Sequence, residues 1–193
     1  MRRGPVRALA TAIVLFALMN GGRALAADDY AICYSTGEMA NSYKKDDAIQ
    51  PAIRACTRLI GSGKYTGKNL ARVYSARGSW RTKSDELDLA LADFAAAIKL
   101  DPGFVEFYDY RADVWQKKKN YERAIADYDQ AILLDPKYAA AYYSRGYTYH
   151  LTGNVEKARE DYNLALRQPP RDRIAEWAHT NARKRLEELD AKK

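Results

Sequence analysis

Apolar and aromatic residues recur at intervals of three and four through most of the chain, as in Tyr121, Ala124, Ile125, Tyr128, Ala131 and Ile132. That spacing puts them on one face of an α-helix. Polar or glycine-containing pairs interrupt the runs, Lys119-Asn120 in one place and Gly153-Asn154 in another. Pro102, Pro136 and Pro170 close longer stretches, because proline cannot continue a helical hydrogen-bond ladder. The whole pattern then repeats. Segments 71–104, 105–138 and 139–170 align without a gap at a step of 34 residues. Tyr74, Tyr108 and Tyr142 correspond, as do Gly78, Ala112 and Gly146. So do Ala90, Ala124 and Ala158, then Phe94, Tyr128 and Tyr162, then Ala97, Ala131 and Ala165. Each unit reads as two helices joined by a turn. The Gly and Ala positions let helices cross closely while the large rings fill the space beside them. One such unit cannot bury its apolar face alone, so neighbours must stack.

At these residues the chain resembles the tetratricopeptide repeat: a large residue, Gly or Ala, then Ala-x-x-x-Phe/Tyr, a late Ala and a closing Pro. The resemblance covers about half of the chain. It implies an all-α fold, a right-handed α-solenoid of three full repeats with a degenerate N-terminal partial repeat and a C-terminal capping helix. Arg77, Arg111 and Arg145 stand where the family usually has leucine. Arg81 replaces the usual aromatic late in the first helix, which loosens that repeat unless Trp80 takes over the role. Upstream, 52–60 resembles the second helix of a degenerate repeat, and the extra residues between it and the first full unit are assigned to a loop from Gly61 to Gly67. Residues 27–70 are thus expected to form an N-terminal cap with that half-repeat. Downstream, Ile174, Trp177, Ala178, Leu186 and Leu189 share an apolar side of a helix within 171–193. Its other side is charged, as expected of a helix that covers the end of an array.

The first 26 residues have a different character. Arg2, Arg3 and Arg7 precede an apolar run from Ala8 to Met19, and Ala24-Leu25-Ala26 is a small-x-small site. These are the parts of a secretory leader cut before Ala27; an N-terminal membrane anchor is the alternative. Four arginines and no acid leave with it, so the net charge of +7 falls to +3, too mild to point to nucleic acid. The mature chain is expected to be periplasmic or secreted, with no stable membrane span. In an oxidising compartment its two cysteines, Cys33 and Cys56, are a disulfide pair by expectation, with two buried thiols as the alternative.

Little in the sequence points to catalysis. His150 and His179 are the only histidines, and no serine or cysteine has an evident base partner. Two cysteines without a nearby histidine are a poor zinc site. Gly61 to Lys68 has the wrong spacing for a phosphate loop, and Asn69 stands where Ser or Thr would bind magnesium. No enzyme activity, cofactor or metal is expected. Arg77, Arg111 and Arg145 each precede an aspartate by 16 residues: Asp93, Asp127 and Asp161. A packed arginine needs a partner, so ion pairs are expected, with an acidic-peptide site as the alternative.

The resemblance implies that first helices line a concave face. Spacing from the repeat tyrosines puts Arg72, Ser75, Ala76 and Ser79 there, then Glu106, Asp109, Tyr110 and Asp113, then Tyr143, Ser144, Tyr147 and His150. The clamp by which some family members grip a terminal carboxylate is not matched, because the second unit offers acids. The groove is expected to be acidic and tyrosine-rich, suited to a basic or aromatic segment of another protein; plain solvated surface is the alternative. The resulting expectation is a protein- or peptide-binding scaffold of the bacterial cell envelope. Its rivals are an assembly factor or regulatory subunit with a defined client, and an enzyme with an unrecognised site.

Overall fold

The computed structural model describes residues 29–35 and 48–191, in two compact units. The leader expected over 1–26, and its cleavage point at Ala27, lie outside the described residues. All regular structure among the described residues is helical, and the fold is an α-solenoid of helix pairs.

The first unit holds a helical turn at 29–33 and helix α1, Ile49–Gly61. Pro51 sits within the first turn of α1, where backbone N–H groups have no helical partner to lose. Cys33 and Cys56 are bonded, with sulfurs 2.15 Å and Cα atoms 5.0 Å apart. Both are buried. Asp29 accepts two hydrogen bonds from Arg58 Nε, at 2.9 and 3.1 Å, which adds a second tie between the turn and α1. Closing a loop of this length is worth about 3 kcal/mol at most in the chain-entropy view. Amides of α1 are therefore expected to exchange faster with solvent in Cys33→Ser/Cys56→Ser than in the parent protein; unchanged protection would show that the bridge contributes nothing there.

The second unit holds α2 (Gly67–Lys83), α3 (Leu87–Leu100), α4 (Val105–Lys117), α5 (Tyr121–Leu134), α6 (Ala139–Leu151), α7 (Val155–Arg167) and α8 (Arg173–Asp190). Helices pair as α2–α3, α4–α5 and α6–α7, and each pair packs on the next. The helix ends follow local chemistry. Asn120 and Asn154 accept hydrogen bonds from the N–H groups of Arg123 and Lys157, capping α5 and α7. The turn inside each pair needs one left-handed residue, and Asp85, Lys119 and Gly153 supply it at φ of 65°, 60° and 81°. These three positions are also 34 residues apart.

The repeated small residues form the seams. Ala90, Ala124, Ala158, Ala97, Ala131 and Ala165 have no exposed surface. Phe94, Tyr128 and Tyr162 fill the space between helices of a pair. A Cβ at Gly146 would stand 2.9 Å from Asp161 Cβ and 3.1 Å from the Ala158 carbonyl, so only glycine permits this approach of α6 to α7.

One feature differs from the sequence reading and a second extends it. The loop assigned to Gly61–Gly67 is shorter, because α2 begins at Gly67 and is 17 residues long against 13 for α4 and α6. No breaker follows Gly67, so Lys68, Asn69 and Leu70 join the helix. The terminal helix α8 covers the last pair as expected and also keeps the repeat period. It begins 34 residues after α6 does, as α6 begins 34 after α4, and it packs on both α6 and α7. It stands where the first helix of a further unit would stand.

Candidate functional site

Because α4, α6 and α8 share one period, equivalent positions on them face one groove. Asp109, Tyr143 and Trp177 are equivalent, as are Asp113 and Tyr147, and Ala140 and Ile174. With Tyr110, Gln116, Tyr138 and Ser144 these residues line a trough of about 510 Å³.

The walls are aromatic. Tyr143 and Tyr147 stack with centroids 6.4 Å apart and planes 7° from parallel. Trp177 meets the Tyr143 ring edge-on at 5.0 Å. Trp177 is 51% exposed and Ile174 42%, so α8 turns an apolar edge to water. Gln116 donates from Nε2 to Thr148 Oγ1 at 2.7 Å and ties α4 to α6 beneath the trough.

The floor is acidic. Asp109 is 6% exposed. The Tyr138 hydroxyl donates to its Oδ2 at 3.1 Å, but Oδ1 has no hydrogen-bond partner. The charges that face it, Asp113 and Glu106, have the same sign. Burial first, and these neighbours after it, hold the Asp109 carboxyl well above the ordinary carboxylate range. Asp113, one helical turn on, accepts from the Tyr128 hydroxyl at 2.7 Å. It is open to water on its outer edge, while protein crowds its inner side and raises its carboxyl to about 6. Burial, helped by the Asp109 charge, pushes the Tyr110 phenol up to about 12. An unsatisfied buried polar group costs on the order of 1–3 kcal/mol, and nothing among the described residues offsets that cost at Asp109 Oδ1.

Of the residues placed on the concave face by spacing, Asp109, Tyr110, Asp113, Tyr143, Ser144 and Tyr147 come together here. Glu106 contributes only through its charge. Arg72 is not in the trough; its guanidinium lies 5.8 Å from the centroid of the Phe104 ring. Ser75, Ala76 and Ser79 are not among the lining residues either. His150 lines a different cavity of about 820 Å³ with Val155, Glu156, Arg159 and Leu189. Leu189, near the end of α8, lines that cavity beside it. Spacing missed Ile174 and Trp177, and also Gln116, Ala140 and Tyr138. The first two were legible, since they fall one period after Ala140 and Tyr143. Tyr138 precedes α6, where helical spacing carries no information.

Family comparison agrees with this architecture. Sequence families described as TPR repeat and tetratricopeptide repeat match residues 83–132, 112–153 and 139–172. These units are tetratricopeptide repeats. The tetratricopeptide repeat domain-containing protein PYG7 of Arabidopsis thaliana chloroplasts is 40% identical over 52 residues, which span 27% of this chain and 17% of that relative. Among solved structures, the Arabidopsis OM64 TPR domain is 26% identical with a TM-score of 0.50, covering 60% of this chain and 95% of that domain. The first TPR of Spaghetti (RPAP3), bound to the HSP90 peptide SRMEEVD, is similar at 23% identity and a TM-score of 0.52, covering 64% and 98%.

The arginine series belongs to the repeat architecture and not to the trough. Arg77 donates from Nε and Nη2 to Asp93 at 3.0 and 2.7 Å, Arg111 to Asp127 at 2.8 and 2.7 Å, and Arg145 to Asp161 at 2.8 and 2.7 Å. Each bridge lies within one repeat. Each guanidinium also lies 5.5–5.8 Å from the centroid of the tyrosine ring three residues before it, Tyr74, Tyr108 or Tyr142. In the first repeat, Arg81 adds a bond to Asp93 at 2.8 Å, and Trp80 is buried beside it in the chain. No helix among the described residues is long and apolar enough to cross a membrane, and no group of His, Cys, Asp and Glu among them could hold a metal ion.

Proposed function

We propose that this protein is an interaction scaffold of the bacterial cell envelope that holds a basic, aromatic-containing segment of another protein in the α4–α6–α8 trough. One observation carries the reading. Asp109 places a buried carboxyl with an unpartnered oxygen at the floor of a groove walled by Tyr143, Tyr147 and Trp177. Tyrosine and tryptophan give wide contact area at low entropy cost, and the acids give a charge preference. The similar Spaghetti (RPAP3) repeat also holds a peptide, but SRMEEVD carries three acidic residues, and like charges would repel it from Asp109 and Asp113. The leader-like start and the bonded cysteines support export, since disulfides persist in oxidising compartments.

Isothermal titration with a peptide of alternating lysine, arginine and aromatic residues checks the reading. Binding to the parent protein is expected to weaken at least about tenfold in Asp109→Lys/Asp113→Lys, from loss of attraction and gain of repulsion. Equal affinities would remove the trough as the site.

A further inference from the structure

We infer that the trough recognises a primary ammonium group, a lysine side chain of the bound segment, and discriminates against arginine. The inference rests on the trough being the binding site and adds the chemistry of its occupant.

The hydrogen-bond geometry makes the choice. A guanidinium binds best as a fork, with two parallel N–H groups on the two oxygens of one carboxylate. The three arginine–aspartate bridges of the repeats have this form. Neither trough acid offers it. Asp113 Oδ1 faces inward, onto the hydroxyl of the fully buried Tyr128, and both oxygens of Asp109 are shielded, Oδ2 by Tyr138 and Oδ1 by burial. What remains open to water is one edge of Asp113, with the unpartnered, buried oxygen of Asp109 one helical turn away. A compact ammonium with three donors in a small volume suits this arrangement. It would bond to the free, water-facing oxygen of Asp113 with the shielded charge of Asp109 beneath it. Repeat equivalence shows that the arrangement is particular to α4: the residues equivalent to Asp109 and Asp113 are Ser75 and Ser79 on α2, and Tyr143 and Tyr147 on α6. The acids thus stand beside an aromatic surface that can carry the four-carbon stem of lysine, and Trp177 extends it.

Among the described residues no cation is paired with either acid. The titratable groups facing Asp109 are Glu106, Tyr110 and Asp113 of α4 and Tyr138 just before α6, and those facing Asp113 include Tyr128 of α5. Arg185 of α8 reaches the trough wall, over the Tyr147 ring at 4.7 Å, but its charge is paired with Glu188 at 2.8 Å. Until an ammonium arrives, burial favours the protonated carboxyl at Asp109. Binding therefore expels a proton, and affinity rises with pH as the two carboxyls ionise.

The test uses the protein with its leader removed. Random heptapeptides displayed on phage are panned against it and against a protein-free surface. The best enriched peptide is then remade with lysine, arginine or Nε-acetyl-lysine at the selected position. Lysine is expected to be selected, with arginine at least about tenfold weaker and acetyl-lysine weaker still. Asp113→Asn should remove that preference while leaving the thermal melting curve in place, since this side chain is open to water. Titration in phosphate and Tris buffers should show proton release and tighter binding at pH 8 than at pH 5. Equal binding of the lysine and arginine peptides would overturn the ammonium preference and leave the peptide-holding reading intact, as would equal binding of the acetylated one. No peptide enriched over the bare surface would overturn both.

Discussion

Tyr128→Ala is expected to lower the unfolding free energy by about 4 kcal/mol, a fall in melting temperature of roughly 10–20 °C. The ring has no exposed surface and packs between Ala112 and Ala124 beside Trp115. Its neighbours are small residues on rigid helices, so they cannot move in to fill the space, and a cavity remains. Truncation also removes the hydroxyl that holds Asp113. Tyr128→Phe separates the two effects. It keeps the ring and deletes one hydrogen bond, which should cost only about 1 kcal/mol of stability. Asp113 would then lose its fixed orientation over the trough, so the phenylalanine protein should bind the basic peptide less tightly while melting close to the parent. Denaturant unfolding followed by circular dichroism gives the first quantity and titration the second. If Tyr128→Ala cost less than 1 kcal/mol, the helix pair α4–α5 would not be packed around this ring. If Tyr128→Phe bound as the parent does, Asp113 would need no anchor.

The same residue shows what the sequence could and could not convey. Phe94, Tyr128 and Tyr162 stand out as equivalent large rings, and their burial follows from periodicity alone. The partner of the hydroxyl does not. Tyr128 finds Asp113, whereas the Tyr162 hydroxyl, one repeat later, has no hydrogen-bond partner because Tyr147 replaces the acid. Helical spacing places Asp109 and Asp113 on one face but does not say that the first is shielded and the second open to water. That distinction comes from Tyr138, which ends the same repeat just before α6, outside any helix, and closes over Asp109. Helix boundaries in the repeats were legible wherever a proline or an asparagine cap marks them. The start of α2 was not, because Gly67 begins a helix there while Gly153 marks a turn, and composition alone does not separate the two roles. The place of α8 in the period was legible in Ile174 and Trp177. It was obscured by the charged residues on the outer side, which read as a terminal cap. Its place in the period matters for function, since α8 supplies an apolar wall of the trough.

Arg145→Ala is expected to cost about 3 kcal/mol, near the lower end for breaking a buried ion pair because the guanidinium keeps some contact with water. Asp161 is 2% exposed and accepts both of its bonds from this one residue. Burial alone already outweighs the bridge and holds the Asp161 carboxyl above its ordinary value. Without Arg145 nothing opposes that burial, so the carboxyl rises further and keeps a proton in the folded protein. A carboxyl whose folded value is raised contributes stability below its unfolded value and loses it as pH climbs through the folded one. The variant should therefore be least impaired near pH 4 and increasingly impaired toward pH 8. The double variant Arg145→Met/Asp161→Leu removes both charges and keeps comparable bulk. It should recover most of the loss, because two well-packed apolar side chains can replace a buried pair at little cost. Thermal melts of the parent, Arg145→Met, Asp161→Leu and the double variant at pH 4 and pH 8 close the cycle. A double variant as unstable as Arg145→Ala would mean that the bridge does more than neutralise Asp161. The tie from Arg145 back to Asp129 on the preceding helix pair would then contribute a part of it. Asp129→Ala would test that contact alone. It is a surface pair with a half-exposed aspartate, so its loss should cost under about 1 kcal/mol.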